Sequence, residues 1–299
     1  MTANELIEKA GNIVVWKRGG KRAPHKPLLI LLAIRYLINT DKRLINFSEI
    51  ENELSDLLMK YGPERNSYRP QYPYWRLKND GVWTIPNEQT ITENSKGDVS
   101  VKELRKKNIE AGFTTEIFDL LQNNPTAIRN LIQFLLDENF PYSLHNEILE
   151  DFGLDLRYSN ESLKRKRDPH FRHKVLNTYD YKCAICGYDL RFYNKSLALE
   201  AAHIKWHKAG GPDIEENGVA LCNLHHKLFD FGAIALDSER RLVISGKLQG
   251  SNKNLNPLLA MHRELISEPS EVRHTPKKEF INWHLSEVFK KKNGKKISK

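Results

Sequence analysis

The sequence predicts an α+β protein of two parts: a mostly helical N-terminal domain with a short β-hairpin, and a C-terminal domain built on a strand, a loop, a second strand and a short helix. Three observations predict it. At 299 residues the chain is long enough for two cores of ordinary size. Its first half carries apolar residues at helical spacing between capping and stop signals. Its second half sets Cys183 and Cys186 ahead of Cys222 and His225, a pattern that staples a small fold rather than filling a large core.

The elements follow in order. "PLLILLAIRYLI", from Pro27 to Ile38, is a core helix, with Pro27 suited to a first turn and the apolar run too dense for a surface helix. The run is too short to span a bilayer and is interrupted by Arg35, so no membrane association is expected. The N-terminal residues lack a basic-then-apolar leader, and the expected location is the cytoplasm. "YRPQYPYWRLKNDGVWTIP" has the prolines, the Asn79-Asp80-Gly81 turn and the β-formers of loops feeding a short hairpin, with Tyr74 and Trp75 as core. "NEQTITENSKGDVS" reads as an exposed loop. "NPTAIRNLIQFLLDENFP" is a helix capped by Asn124, begun by Pro125 and stopped by Pro141. "SLHNEILEDFG" repeats the logic with Ser143 as cap and Gly153 as terminator.

These elements define a first domain over 1–155, a basic linker over 156–167 and a second domain over 168–299. Asp168 and Pro169 open the second domain with a helix. "EFINWHLSEVF" near its end is a covering helix, with Trp283 and Phe289 as core and His284 as a structural residue. A basic tail follows.

An excess of 47 Lys and Arg over 38 Asp and Glu gives a net charge of +9 and calls for a polyanionic partner, nucleic acid first. Three cysteines, with one C-x-x-C pair, argue against a disulfide framework and for metal. Cys183, Cys186, Cys222 and His225 form a closed, thiolate-rich set suited to a structural Zn2+. In "LCNLHHKLFD", read as a helix, Cys222 and His225 share one face while His226 and Asp230, four apart, share another. His203, Asn217, His226 and Asp230 offer nitrogen and oxygen donors without sulfur. Such a set suits a divalent ion with open positions, such as Mg2+, Mn2+, Ni2+ or Co2+, beside a histidine able to take a proton from water.

The segment "AHI", then "NG", then "LCNLHHKLFDFG" resembles the HNH endonuclease family, whose core is the ββα-metal fold. The resemblance implies His203 as general base, Asn217 orienting that histidine or its loop, and His226 as a ligand of the catalytic ion. Many relatives place a metal-binding Asp or His just before the base, where this chain has Ala202. The missing ligand is then expected from Asp230, one helical turn from His226, with Glu200 the other candidate and read as a structural strand residue. His170 and His207 lie outside the signature spacing and are read as ordinary histidines.

In the first domain, "WKRGGKRAPHKPLLILLA" and "YPYWRLKNDGVW" resemble the sulfur-binding domain of type IV restriction endonucleases that attack phosphorothioate-modified DNA. The resemblance implies that His25, Lys26, Tyr72 and Pro73 face the sulfur. Arg18, Lys21 and Arg22 are expected to meet phosphates from a basic loop. Arg76 stands where some relatives have a small residue, and no role is assigned to it beyond the DNA-binding set.

Together these readings predict a modification-dependent restriction endonuclease whose partner is double-stranded DNA carrying a backbone or base modification. Cutting both strands takes two active sites, which is compatible with a homodimer. Two alternatives stand beside it: an HNH nuclease reading a methylated or hydroxymethylated base on an aromatic stack, and a non-catalytic zinc-containing DNA-binding module.

Overall fold

The structure, a computed structural model, describes residues 1–13, 24–154 and 169–291. The chain forms two compact units, Met1–Ser162 and Leu163–Lys299. The positions expected to form the linker, the basic residues Arg18, Lys21 and Arg22, and most of the tail lie outside the described residues. Among the described residues no helix is long and apolar enough to cross a membrane.

The first unit opens with α1 (Ala3–Gly11), begun by a reciprocal cap in which Thr2 accepts from the Glu5 amide and Glu5 accepts from the Thr2 amide. Helix α2 (His25–Thr40) is the apolar run, and Leu28 to Leu32 are fully buried on every face of it. A short strand β1 (Leu44–Asn46) leads into α3 (Phe47–Tyr61), which Asn46 caps through the Ser48 amide.

The aromatic run that follows corrects one expectation. Gln71–Arg76 is a helix, α4, and not a loop, because Tyr74 and Trp75 gain more from burial against the sheet and α2 than their β-propensity counts for. Asn79 and Asp80 fall in a single 3-10 turn over Leu77–Asp80, which Gly81 ends at φ 71°. The strand after it, β2 (Trp83–Thr84), does not close a tight hairpin. It pairs antiparallel with β3 (Glu110–Phe113), across α5 (Val101–Lys106), in a three-stranded sheet of order β1-β3-β2. Gly112 allows this packing, since a Cβ there would lie 1.7 Å from the Arg43 carbonyl oxygen.

Helices α6 (Thr115–Asn123), α7 (Pro125–Asn139) and α8 (His145–Asp151) complete the unit. Asn124 caps α7 through the Ala127 amide at 3.0 Å. Ser143 is not the cap of α8; it falls in a single 3-10 turn over Tyr142–Leu144, and Leu144 precedes the helix. Gly153 ends the segment at φ 59°.

The second unit begins with α9 (Pro169–Thr178) and a small ribbon of β4 (Arg191–Phe192) and β5 (Lys195–Ser196). Strand β6 (Leu199–His203) pairs antiparallel with β7 (Gly218–Cys222), and α10 (Asn223–Asp230) follows at once. This is the strand, loop, strand and helix that the sequence pattern predicts. A second ribbon, β8 (Ile234–Leu236) with β9 (Leu242–Ile244), and helix α11 (Asn252–Ala260) extend the core. Helix α12 (Lys278–Glu287) closes it, with Trp283 buried in the helix and Phe289 buried just after it. His284 is structural: its Nε2 is 3.0 Å from the Phe229 carbonyl and its ring stacks on Phe229 at 3.7 Å.

Candidate functional site

In the second unit, packing of α9 against the β6–β7 pair sets the geometry. Gly218 faces Val175, and a Cβ at that position would come within 2.3 Å of Val175 Cγ2, so the helix seats only against a glycine. Seated there, α9 lays the Phe171 ring flat on His203 at 4.0 Å with 14° between the planes. His203 ends β6, directly across from Gly218. Its Nε2 lies 2.7 Å from Asp213 Oδ1. Burial holds the His203 pKa below its ordinary value, and Asp213 works against that shift without cancelling it. The imidazole is therefore neutral and fixed in orientation by an acid, the state a general base needs.

Asn217 reaches this histidine through the loop. Fully buried, it accepts from the Lys205 amide at 2.8 Å and donates to the carbonyls of Lys205 at 3.0 Å and Pro212 at 2.9 Å. It thus ties the exit of β6 to the residue just before Asp213. Gly211 makes room, since a Cβ there would stand 1.9 Å from the Lys205 carbonyl oxygen and 2.8 Å from Asn217 Nδ2.

Helix α10 presents the other group. His226 is buried between two carboxylates, with Nδ1 3.1 Å from Glu200 Oε2 and Nε2 3.1 Å from Asp230 Oδ2. Burial opposes the charged ring, but Asp230 and Glu200 outweigh it and push the pKa up to about 9. An ion bound to this ring would have to displace a proton. Because the acids sit on opposite ring nitrogens, only one can share an ion with His226, and the other then accepts the remaining N–H. The structure brings His226 and Asp230 together as the helical spacing predicts, and gives Glu200 a direct contact to the same ring. The charge of Asp230 also acts on His203.

On the far side of α10, Cys183, Cys186, Cys222 and His225 place their ligand atoms within 4.8 Å of one another. His225 Nδ1 is 3.3 Å from Cys222 Sγ and 3.5 Å from Cys183 Sγ. Hydrogen bonds from Cys222 and His225 hold Cys183 well below the usual thiol range, while Cys222, by its bond to Cys183, and Cys186, by burial, are pushed up. One thiolate discourages the next, and a bound cation is what lets all of them ionise. The donor set fits a tetrahedral metal ion.

Two neighbours of His203 are not singled out by sequence spacing. Asp213 sits in the turn-rich "GGPD", where only the Gly-Gly-Pro context hints at a shaped loop. Phe171 gives no signal beyond an apolar position on α9. His207, read from sequence as an ordinary histidine, stands at the edge of the site, 3.8 Å from Asp213 Oδ2 and edge-on to His203 at 6.0 Å. His170 is exposed.

In the first unit, Tyr74 anchors α4. Its hydroxyl lies 2.8 Å from the Ile45 carbonyl and 2.9 Å from that of Ile109, and its ring meets Phe47 and Trp83 edge-on. With Tyr74 and Trp75 buried, Tyr72 and Arg76, four apart, take the outer face. Arg76 lies 4.7 Å over the Tyr72 ring and is held there by a bidentate pair to buried Asp98, both bonds 2.7 Å. Arg69 donates to the Tyr72 hydroxyl at 2.8 Å. Lys26 pairs with Asp80, which joins the first turn of α2 to the segment after α4. Pro73 is buried and His25 half-buried. The stretch expected to be a plain exposed loop therefore supplies Asp98, and also Glu93, which accepts from the Trp75 indole at 2.8 Å.

Residues 3–157 match the family described as ScoMcrA-like, DNA sulfur-binding domain, and residues 183–237 match the HNH endonuclease family. No curated protein matches the chain. Among solved structures, the sulfur binding domain of ScoMcrA complexed with phosphorothioated DNA is 27% identical, over 50% of this chain and 94% of that one, with a TM-score of 0.44. The sulfur binding domain of SprMcrA, also complexed with phosphorothioated DNA, is 19% identical over 52% of this chain and 95% of that one, TM-score 0.43. The type IV phosphorothioation-dependent restriction endonuclease ScoMcrA is 25% identical over 49% of this chain, TM-score 0.42, and the matched part spans 32% of its length.

Proposed function

Because the chain belongs to the family of the ScoMcrA-like DNA sulfur-binding domain, we propose that its first unit recognises phosphorothioate-modified DNA and its second unit, an HNH endonuclease domain, cuts that DNA. The observation that carries the catalytic half is the neutral, acid-oriented His203 on the same ββα element that pairs His226 with Asp230.

His203 takes a proton from the attacking water, and Asp213 stabilises the imidazolium that forms. Asn217 holds Asp213 in register by fastening its loop, and Phe171 keeps the ring from swinging. His226 and Asp230 hold a divalent ion such as Mg2+, Mn2+, Ni2+ or Co2+, and Glu200 orients His226 from the opposite nitrogen. When bound, that ion supplies Lewis-acid stabilisation of the charge developing on the phosphate. Cys183, Cys186, Cys222 and His225 hold a structural Zn2+.

Recognition follows from the softness of sulfur. Phosphorothioate sulfur is larger and more weakly hydrated than oxygen, so an apolar wall accepts it and penalises an oxygen by roughly 1–3 kcal/mol. Tyr72, backed by buried Pro73, provides that wall, and Arg76 provides the charge beside it. Lys26, which pairs with Asp80 beyond α4, and its neighbour His25 in the first turn of α2 also face the sulfur, and Arg18, Lys21 and Arg22 contact phosphates. Two copies of the chain, acting in the cytoplasm, supply the two sites needed for a double-strand cut.

The test is parallel digestion, with Mn2+ or Mg2+, of one plasmid prepared from sulfur-modifying, methylating and unmodified hosts. Cutting confined to the sulfur-modified plasmid is expected. Cutting confined to the methylated one overturns the reader, and no cutting of any under every divalent ion overturns the nuclease.

A further inference from the structure

Four of the eleven large apolar side chains exposed among the described residues fall within residues 190–197, the β4–β5 ribbon and its edges. Phe192 is 63% exposed and Tyr193 87%, with their rings 4.5 Å apart. The ladder pairs Arg191 with Ser196 and Phe192 with Lys195, and the Leu197 amide donates to the Leu190 carbonyl. Alternation along the strands therefore puts Leu190, Phe192, Lys195 and Leu197 on one face. Arg191 takes the other face, where its guanidinium lies 5.6 Å from the Tyr181 ring and roots the ribbon beside the cysteine cluster.

The apex is strained. Tyr193 and Asn194 have φ of 44° and 61°. A two-residue hairpin turn takes φ > 0 at both positions, which suits asparagine, whereas tyrosine is uncommon there and costs local stability that a bound partner would offset. Charge names the partner. Exposed Lys182, Arg191 and Lys195 outnumber the exposed acids Asp180 and Asp189 in this region, on a chain of net charge +9. Two such ribbons meeting face to face would oppose like charges, whereas a phosphate backbone complements them.

We propose that the ribbon is a DNA-contacting wedge of the nuclease unit. Phe192 and Tyr193 stack against or between bases, and Arg191 and Lys195 meet the flanking phosphates. The placement follows from continuity. The root is fastened to α10 by the Asn223 amide on the Ala198 carbonyl at 2.9 Å, and β6 then runs on to His203. Ten residues separate Tyr193 from His203, at most about 33 Å of extended chain or about ten base steps, so the wedge works within about one helical turn of the scissile phosphate. This inference rests on the reading of the second unit as a nuclease.

The test uses the full chain and duplexes carrying 2-aminopurine at each step around the cut. With His203→Ala, which allows binding without turnover, the fluorescence of one probe position is expected to rise on binding and to stay flat when Phe192→Ala and Tyr193→Ala are added. With His203 intact, the double substitution is expected to slow duplex cleavage about ten-fold, and to leave the zinc content and the preference for modified over unmodified DNA unchanged. Unaltered fluorescence and cleavage in the double variant would overturn the wedge. So would a dimer that falls apart in that variant without DNA, since the patch would then be a self-association surface. Probe unstacking by a chain that cuts no DNA would retain the wedge and remove the nuclease reading.

Discussion

His203 Nε2 lies 2.7 Å from Asp213 Oδ1, and the imidazole is sandwiched into place by Phe171 at 4.0 Å. This contact crosses from a strand end to a turn-rich loop, and it fixes the orientation of a histidine at a motif position. Asp213→Asn keeps the size of the side chain and removes its charge. The turnover number is expected to fall on the order of a hundred-fold with little change in DNA affinity. Single-turnover cleavage alongside an equilibrium binding measurement separates the two, and a fall in affinity alone would contradict the role.

The pH profile follows from the same pair. Burial lowers the His203 pKa from 6.5, so its basic form persists to lower pH than that of a free histidine. With the divalent ion saturating, so that the His226 proton is displaced throughout, the acid limb of the cleavage rate is therefore expected below pH 6.5. Asp213 is the group that raises this pKa, so Asp213→Asn should move the limb to still lower pH while the plateau drops. A limb that moves upward in that variant would show that Asp213 does not face the titrating base.

The acids around His226 divide two roles. Asp230→Asn and Glu200→Gln should each weaken the divalent ion that supports cleavage by about 10–100-fold, one by losing a ligand and one by loosening the ring. Titrating the rate with Mn2+ reads both, and excess metal is expected to rescue Glu200→Gln more fully than Asp230→Asn. Equal and complete rescue of both would reject Asp230 as a ligand.

Cys222 ends β7 and stands just before α10, the helix that also carries His226 and Asp230. Cys222→Ser should lower the zinc content from one per chain to none and abolish cooperative unfolding of the second unit, because structural zinc contributes on the order of 10 kcal/mol to small folds. The first unit has its own core and should melt unchanged. Elemental analysis and calorimetry together test this, and retention of zinc would remove the cluster from its structural role.

In the first unit, Tyr72→Ala should cut the preference for phosphorothioate over ordinary DNA by about ten-fold, within the roughly 1–3 kcal/mol that an uncompensated polar burial costs. Arg76→Lys keeps the charge but breaks the bidentate hold on Asp98, and should weaken modified DNA several-fold less than Arg76→Ala. Competition binding with matched duplexes measures both.

What the sequence by itself determined are relations within one element or between neighbours along the chain. The four-residue spacing of His226 and Asp230, the division of α10 into a cysteine-facing and an acid-facing side, the Asn124 cap and the buried α2 all follow from helical periodicity and local hydrogen bonding. Only tertiary structure decided that Asp213 serves His203, that Glu200 reaches His226, that Asp98 pins Arg76 over Tyr72, and that β2 pairs with β3 across α5. Each of these joins separate elements, and nothing in the local spacing of either partner sets the other's direction. The same distinction explains α4. Its three aromatic residues favour strands taken singly, yet Tyr74 buries its ring and satisfies its hydroxyl on two distant carbonyls from a helix laid on that sheet, and packing outweighs propensity.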